Sequence, residues 1–408
     1  MNPQIQNYLE QNLPFYLDML RRMVAINSFT ANAAGVNALA DLTADIFADL
    51  EFTAERVPST NPKYGSHLVL TRRGDSNRVV GLIAHLDTVF PPEEEAANEF
   101  RWREAGDRIY GPGTNDCKGG TVVIYMVLDA IRKFAPNAFD QNTWVVLLNS
   151  SEETLSADFG ELCLRRLGSD ALAALVFEAG VRNDNLYQLV TARKGMATYH
   201  VSVEGKSTHA GSKHQEGANA IIQLAHTVQQ IAALTDYERE LTFNVGTISG
   251  GTVTNRVPHF AEARGEMRAF STDVYDQGIA GLLAFRSQPA ITSAEGDFAC
   301  KVDIQIRREN APWPRNPKTD RLLDIWQAAA ASLRMTVITE ERGGLSDGNQ
   351  LWEHIPTIDG LGPDGKNSHC SEQSPDEGKE QEYVTVSSFV PKAVLNMAAI
   401  LSLTRADG

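Results

Sequence analysis

Two short runs constrain this chain most. Val79–His85 (VVGLIAH) and Trp144–Leu148 (WVVLL) are apolar at almost every position. Side chains of a strand alternate between its two sides, so a strand that is apolar throughout is covered on both faces. Such strands need a sheet enclosed between two layers of helix, and the surrounding pattern supplies them. Helical periodicity is expected over Ala34–Leu50, Lys118–Phe134 and Phe159–Leu167, with further strands at His67–Thr71 and Leu172–Phe177. The alternation predicts an α/β domain.

Near residue 193 the pattern changes. Strands at Thr198–Val203, Leu241–Ile248, Phe260–Phe270 and Ala299–Arg307 are interleaved with helices at Ala218–Leu234 and Val274–Phe285. The order β-α-β-β-α-β is that of a ferredoxin-like α+β unit. The proline-rich stretch Ala311–Pro317 then acts as a connector. Beyond it the α/β pattern returns, with helices at Asp320–Leu333 and Val384–Leu403, a strand at Thr336–Thr339 and a short helix near Asp347–His354. The expected organisation is a discontinuous larger domain, residues 1–192 and 310–408, interrupted by an α+β domain at 193–309.

Composition narrows the class of partner. Of the 408 residues 42% are hydrophobic and 22% charged, as in ordinary globular chains. The net charge of −15 argues against nucleic acid, which calls for a basic surface. The four cysteines form no C-x-x-C pair and are too sparse for a disulfide scaffold, which fits a reducing compartment. Residues Met1–Ala25 lack the pattern of a secretion signal. They carry an amphipathic helical stripe, Leu13, Phe15, Leu17, Leu20, Met23 and Val24, with Pro14 expected as a break or first helical residue. No apolar run is expected to span a bilayer. A cytoplasmic protein with no membrane partner follows. The acidic runs Glu93–Glu95 and Asp376–Glu382 are expected as solvated loops.

Chemistry-bearing residues gather where the apolar strands end, and in open α/β sheets sites lie beyond the carboxyl ends of strands. His85 and Asp87 are two apart and face the same way in extended chain, a spacing suited to a ligating imidazole and an orienting carboxylate. Tyr110–Gly120 (YGPGTNDCKGG) is a glycine-rich turn that delivers Asp116 to a helix start, as a helix cap or as a ligand shared by two cations. Asn149–Thr154 (NSSEET) ends a buried strand in two adjacent carboxylates, Glu152 and Glu153, which burial tolerates only beside cations or protons. Glu178 ends another strand. His369 lies far downstream in GPDGKNSH. Cys117 has no Cys-His-Asn signature around it. Two histidines, three ligating carboxylates and one spare carboxylate suit a pair of Zn²⁺, Co²⁺ or Mn²⁺ ions without thiolate.

Taken in order, His85/Asp87, Gly113–Gly120, Glu152/Glu153, Glu178 and His369 resemble the M20 metallopeptidase family pattern H-x-D, G-x-x-D-x-K-G-G, E-E, D/E and a late His, most closely its glutamate carboxypeptidase branch. The resemblance covers nearly the whole chain. It implies a mixed-sheet di-zinc catalytic domain with an inserted lid and dimerisation domain. Asp116 would bridge the ions, His85 and Glu178 would complete one site, and Glu153 and His369 the other. Asp87 would orient His85, and Glu152 would be the general base. It also implies a cis peptide bond at Asp116–Cys117. In the inserted domain, Lys206–Gly211 (KSTHAG) resembles the segment whose histidine, here His209, polarises the scissile carbonyl, often in the other subunit. Asn255 and Arg268 match substrate-contacting positions. Gly344 and Ser346, in Gly343–Gly348 (GGLSDG), match a loop that receives a C-terminal carboxylate.

The function these features imply is hydrolysis of the amide bond of a C-terminal amino acid by a homodimer acting on a small peptide or N-acyl amino acid. Aminoacylase and dipeptidase activities share the same ligand set. A reading of another class is a two-lobed small-molecule binding protein without catalysis, against which Glu152 stands.

Overall fold

The computed structural model describes residues 3–296 and 298–405, without the side chains of Arg308 and Pro375. The chain forms two compact units. The larger comprises Met1–Thr191, Arg315–Glu341 and Ser346–Gly408, and the smaller Ala192–Pro314 with Arg342–Leu345.

The larger unit begins with α1 (Pro3–Val24) and α2 (Ala33–Ala48). Its central sheet contains β1 (Thr53–Pro58), β2 (Ser66–Arg72), β3 (Val79–His85), β4 (Thr143–Asn149), β5 (Ala173–Val176) and, last in the chain, Thr357–Ile358. Across the sheet the order is β1-β2-β4-β3-β5 and then Thr357–Ile358. The pairs β1/β2 and β2/β4 are antiparallel, and β3, β4, β5 and Thr357–Ile358 run parallel. The sheet is therefore mixed. The apolar runs are explained by burial on both faces. Trp144, Val146 and Leu148 join the core formed with α1, α2 and α3 (Lys118–Phe134), while Val145 and Leu147 join the core against α4 (Ala157–Leu167).

The smaller unit holds β6 (Gly195–Glu204), α5 (Ala220–Ala232), β7 (Thr242–Gly250), β8 (Phe260–Ala269), α6 (Thr272–Leu283) and β9 (Lys301–Asn310). Its antiparallel sheet is ordered β7-β8-β6-β9. Along β8, Ala261, Ala263, Met267 and Ala269 are buried against the helices. Glu262, Arg264, Glu266 and Arg268 fall on the opposite face by the period of two.

Back in the larger unit, α7 (Pro317–Ser332) and α8 (Phe389–Leu403) complete the first core. Three sequence expectations are corrected. Pro14 lies inside a continuous α1, where the buried stripe Leu9, Tyr16, Met19, Leu20 and Met23 outweighs the one lost backbone bond. Val386–Leu403 is long and apolar enough to cross a membrane by length and composition, but 67% of it is buried within the fold, so it is a core helix. The acidic runs are not wholly solvated loops: Glu93–Glu95 open a short helix, Pro92–Ala97, and Glu382 is completely buried.

Candidate metal centre

Register brings the site together. In the parallel pairing His85 is level with Asn149, and Ile83 with Val176. The His85–Asp87 segment, the Glu152–Glu153 turn and Glu178 therefore leave the sheet at one edge. Asp116 reaches that edge through the start of α3, which packs close to the sheet because of its glycines. A Cβ at Gly120 would lie 1.9 Å from the carbonyl oxygen of Phe177. Asp116 does not cap α3, since the cap position is Cys117, without a side-chain bond. The Asp116–Cys117 peptide is cis.

Asp116 touches both imidazoles. Its Oδ1 is 2.8 Å from His85 Nε2 and its Oδ2 is 3.3 Å from His369 Nε2. His85 Nε2 is also 3.5 Å from Glu178 Oε1, and His369 Nε2 is 3.2 Å from Glu153 Oε2. His369 is held at φ 68°, in the left-handed region that non-glycine residues rarely adopt. Asp87 is fully buried, and its role is broader than orienting His85. His85 Nδ1 faces the Asp87 carbonyl oxygen at 3.0 Å and its carboxylate only at 3.6 Å. The carboxylate accepts from Thr30 Oγ1 at 2.6 Å and from the amides of Glu152 and Glu153 at 3.0 and 3.2 Å.

The electrostatics are those of a site crowded with carboxylates. Burial, with Asp347, Glu178 and Glu153 nearby, pushes Glu152 well above the usual carboxylate range, against the pull of His85. Glu153 is raised by burial and Asp116. Asp116 itself is held far below its ordinary value, because its hydrogen bonds to His369 and His85 outweigh burial. The same contacts, first with Asp116 and then with Glu153, raise His369 to about 11. The imidazole and carboxylate donors of this cluster fit divalent zinc, cobalt or manganese. His85, Asp116 and Glu153 offer ligand atoms all within 4.8 Å of one another, as do His85, Cys117 and Glu178. The Cys117 thiol is pushed up to about 12 by burial, which makes it a poor thiolate and a poor nucleophile.

The sequence assigns Glu382 and Asp347 no role in the site, whereas Ser346 is expected to help receive a substrate carboxylate. Glu382 closes a charge run, yet its Oε1 accepts from the amides of Asn115 and Asp116 at 2.9 and 3.1 Å. Burial pushes it up to about 8. The side chain of Asn149 donates to Asp347 Oδ1 at 2.8 Å, and burial raises Asp347 to about 7. Ser346 is buried and caps the turn Asp347–Gln350, and its hydroxyl donates to Asp359 Oδ2 at 2.9 Å. That hydroxyl is committed within the fold.

In the smaller unit His209 is exposed, and its Nδ1 accepts the amides of Gly211 and Ser212 at 3.1 and 3.2 Å. The ring proton then sits on Nε2, which makes that nitrogen a donor. Asn255 is held beside this segment, since its backbone carbonyl accepts from Ala210 N at 3.0 Å. Arg268 is paired through Nε and Nη2 with Glu266 at 2.9 and 3.2 Å, and donates through Nη1 to the carbonyl of Gly343 at 2.8 Å. Arg193 binds the carbonyls of Gly344 and Leu345.

A mixed α/β sheet with imidazole and carboxylate donors gathered at its strand ends defines a hydrolase of the metallopeptidase class. The model of Peptidase family M20/M25/M40 matches residues 81–394, most of the sequence, and the chain belongs to that family. Carboxypeptidase G2 of Pseudomonas sp. (strain RS-16) is 27% identical over 392 residues, 96% of this chain and 89% of the relative. An acetylornithine deacetylase of Pectobacterium carotovorum subsp. carotovorum is 27% identical over 278 residues, 64% of this chain and 69% of the relative. Among solved structures, the aminopeptidase PepT from Bacillus cereus shares the fold with a TM-score of 0.76 at 20% identity, covering 96% of this chain and 99% of that one.

Proposed function

We propose that this protein is a two-metal hydrolase that cleaves the amide bond of a C-terminal amino acid. The observation that carries the reading is the Asp116 carboxylate in contact with both His85 and His369, each of which meets a further carboxylate. Asp116 would be shared between the cations, with His85 and Glu178 on one side and Glu153 and His369 on the other. Two divalent ions, zinc by preference and cobalt or manganese as substitutes, would polarise the amide carbonyl and make water a better nucleophile. Glu152 takes the proton from the attacking water and passes it to the leaving amine. Asp87 holds the Glu152–Glu153 turn and the ring of His85. His209 Nε2 donates to the carbonyl oxygen as negative charge develops there, with Asn255 beside it. Arg268 and Gly344, which match the family's substrate-contacting positions, would bind the substrate carboxylate. Because Arg268 meets Glu266, that carboxylate would displace one partner of an existing pair.

The likeness to carboxypeptidase G2 over nearly the whole chain supports the carboxypeptidase reading. Deacylation of N-acyl amino acids is the second reading, supported by the deacetylase relatives. Both break an amide whose amine belongs to an amino acid. A panel of N-acyl glutamates, N-acetyl amino acids and dipeptides, assayed with and without chelator, tests the proposal. Turnover of no member by the zinc-loaded protein would overturn it.

A homodimer through the smaller unit completes the reading. The edge strand β7 leaves Ile248 60% exposed, and Ile221, Ile222, Val253 and Phe260 are also exposed hydrophobics of that unit. An unpaired apolar edge of this kind suits a second copy. His209 would then serve the partner's site. The free cysteines support a reducing, cytoplasmic setting.

A further inference from the structure

The turn that carries Glu152 and Glu153 leaves the end of β4, and four successive amides in it are held by side chains. Ser150 N donates to His67 Nδ1 at 3.1 Å, and Ser151 N to Asn149 Oδ1 at 3.0 Å. Glu152 N and Glu153 N donate to the two oxygens of Asp87. Asp87 and Asn149 belong to the site already described. His67 does not.

His67 lies on β2 and is 1% exposed. Since its Nδ1 accepts an amide, its proton is on Nε2, which faces Asp158 Oδ2 at 3.2 Å. Asp158 is itself fixed by Ser59 Oγ at 3.0 Å and Thr60 N at 2.7 Å. The ring packs against Phe159 with centroids 5.2 Å apart. Ser150, His67 and Asp158 thus follow the order of a nucleophilic triad. Ser150 is fully buried, however, and its hydroxyl donates to the carbonyl of Gly65 at 2.8 Å. Its Oγ also lies 3.1 Å from His67 Nδ1, but with its proton on the Gly65 carbonyl and no substrate access it is no nucleophile, and the donor that His67 Nδ1 accepts is the Ser150 amide.

We propose that His67, braced by Asp158, is a positioning residue for the Glu152–Glu153 turn. The inference rests on the reading of Glu152 as the proton acceptor. The Ser150 amide is two residues before Glu152, and a buried donor left without its acceptor pulls the chain toward another one. Displacement of a catalytic group by about an ångström is enough to cost up to about a hundredfold in rate.

The test compares His67→Leu, which removes both ring nitrogens, with His67→Asn, whose carbonyl oxygen can replace Nδ1 as acceptor. In the metal-free protein, His67→Leu should speed hydrogen exchange of the Ser150 and Ser151 amides by about tenfold. In the zinc-loaded protein it should lower kcat by about tenfold or more with KM within about twofold. His67→Asn should restore both. Should His67→Leu fail to fold, Asp158→Ala is expected to give the same pattern at about a third of the size, because it loosens the ring without removing it. Unchanged exchange at Ser150 and Ser151, or equal defects in the Leu and Asn variants, would overturn the proposal. Faster exchange with unchanged kcat would overturn the positioning role and leave the hydrolase reading standing. Absence of wild-type turnover, with the exchange response intact, would overturn the hydrolase reading alone.

Discussion

Replacing Glu152 by Gln should separate chemistry, metal binding and stability in one variant. The amide keeps the size of the carboxylate and loses its proton affinity. If Glu152 is the general base, kcat falls by about 10²- to 10⁴-fold. Zinc content stays near that of the wild type, because the contacts linking His85, Asp116, Glu153, Glu178 and His369 do not involve the Glu152 side chain. The third effect is a gain. Burial first, and then Asp347, Glu178 and Glu153, raise the Glu152 carboxyl well above its ordinary range. A carboxyl raised in the folded state contributes stability that is intact below the unfolded value, about 4.3, and is lost as pH rises through the folded one. Because the folded carboxyl can take up a proton rather than stay ionised, its cost at pH 7 cannot exceed about 3.7 kcal/mol, the free energy of protonating a group whose unfolded value is about 4.3. After relaxation, metal-free Glu152→Gln should be more stable than wild type by about 1–2 kcal/mol at pH 7 and equal to it near pH 4. Urea unfolding at the two pH values measures this, and metal analysis and steady-state kinetics supply the other readouts. A variant that loses zinc would show that the roles of Glu152 and Glu153 are exchanged. One that is less stable at pH 7 would refute the electrostatic argument.

Glu153→Gln should lose zinc from one site and activity with it, read as a drop in bound zinc per chain. Chelation should abolish turnover and Zn²⁺ or Co²⁺ restore it, whereas full activity in a metal-free sample contradicts the mechanism. His209→Ala should lower turnover by about 10²-fold, the scale of a lost oxyanion donor, with zinc content intact. Mixing Glu152→Gln with His209→Ala chains should restore part of the activity if His209 acts across a dimer, and no recovery despite subunit exchange would refute that arrangement. His67 is lowered by burial, against its contact with Asp158. Its stabilising effect is therefore present above the ordinary histidine value of about 6.5 and is lost as pH falls through the folded one. The stability difference between wild-type and His67→Asn proteins, both metal-free, should shrink on acidification, and a difference constant from pH 7 to pH 4.5 would exclude it.

The sequence by itself determined the two-faced burial of β3 and β4, because alternation along a strand is a local property that any residue's neighbours reveal. It also marked the strand ends as the place of chemistry, since His85, Asp87, Glu152, Glu153 and Glu178 each follow an apolar run. It did not determine which buried polar groups pair. Glu382 reads as the end of a solvated acidic run, and only the fold turns it toward the amides of Asn115 and Asp116. His67 reads as a polar residue at the start of a strand. Its bond to the Ser150 amide exists because β2 runs antiparallel beside β4, with Leu68 opposite Leu148. Arg268 reads as a substrate-contacting residue, and its bidentate contact with Glu266 is a matter of side-chain conformation on one face of β8. Hydrophobic periodicity is written over a few consecutive residues, whereas the partner of a buried donor or charge lies wherever the chain returns. That return is fixed only when the whole core packs and every buried polar group must find its bond.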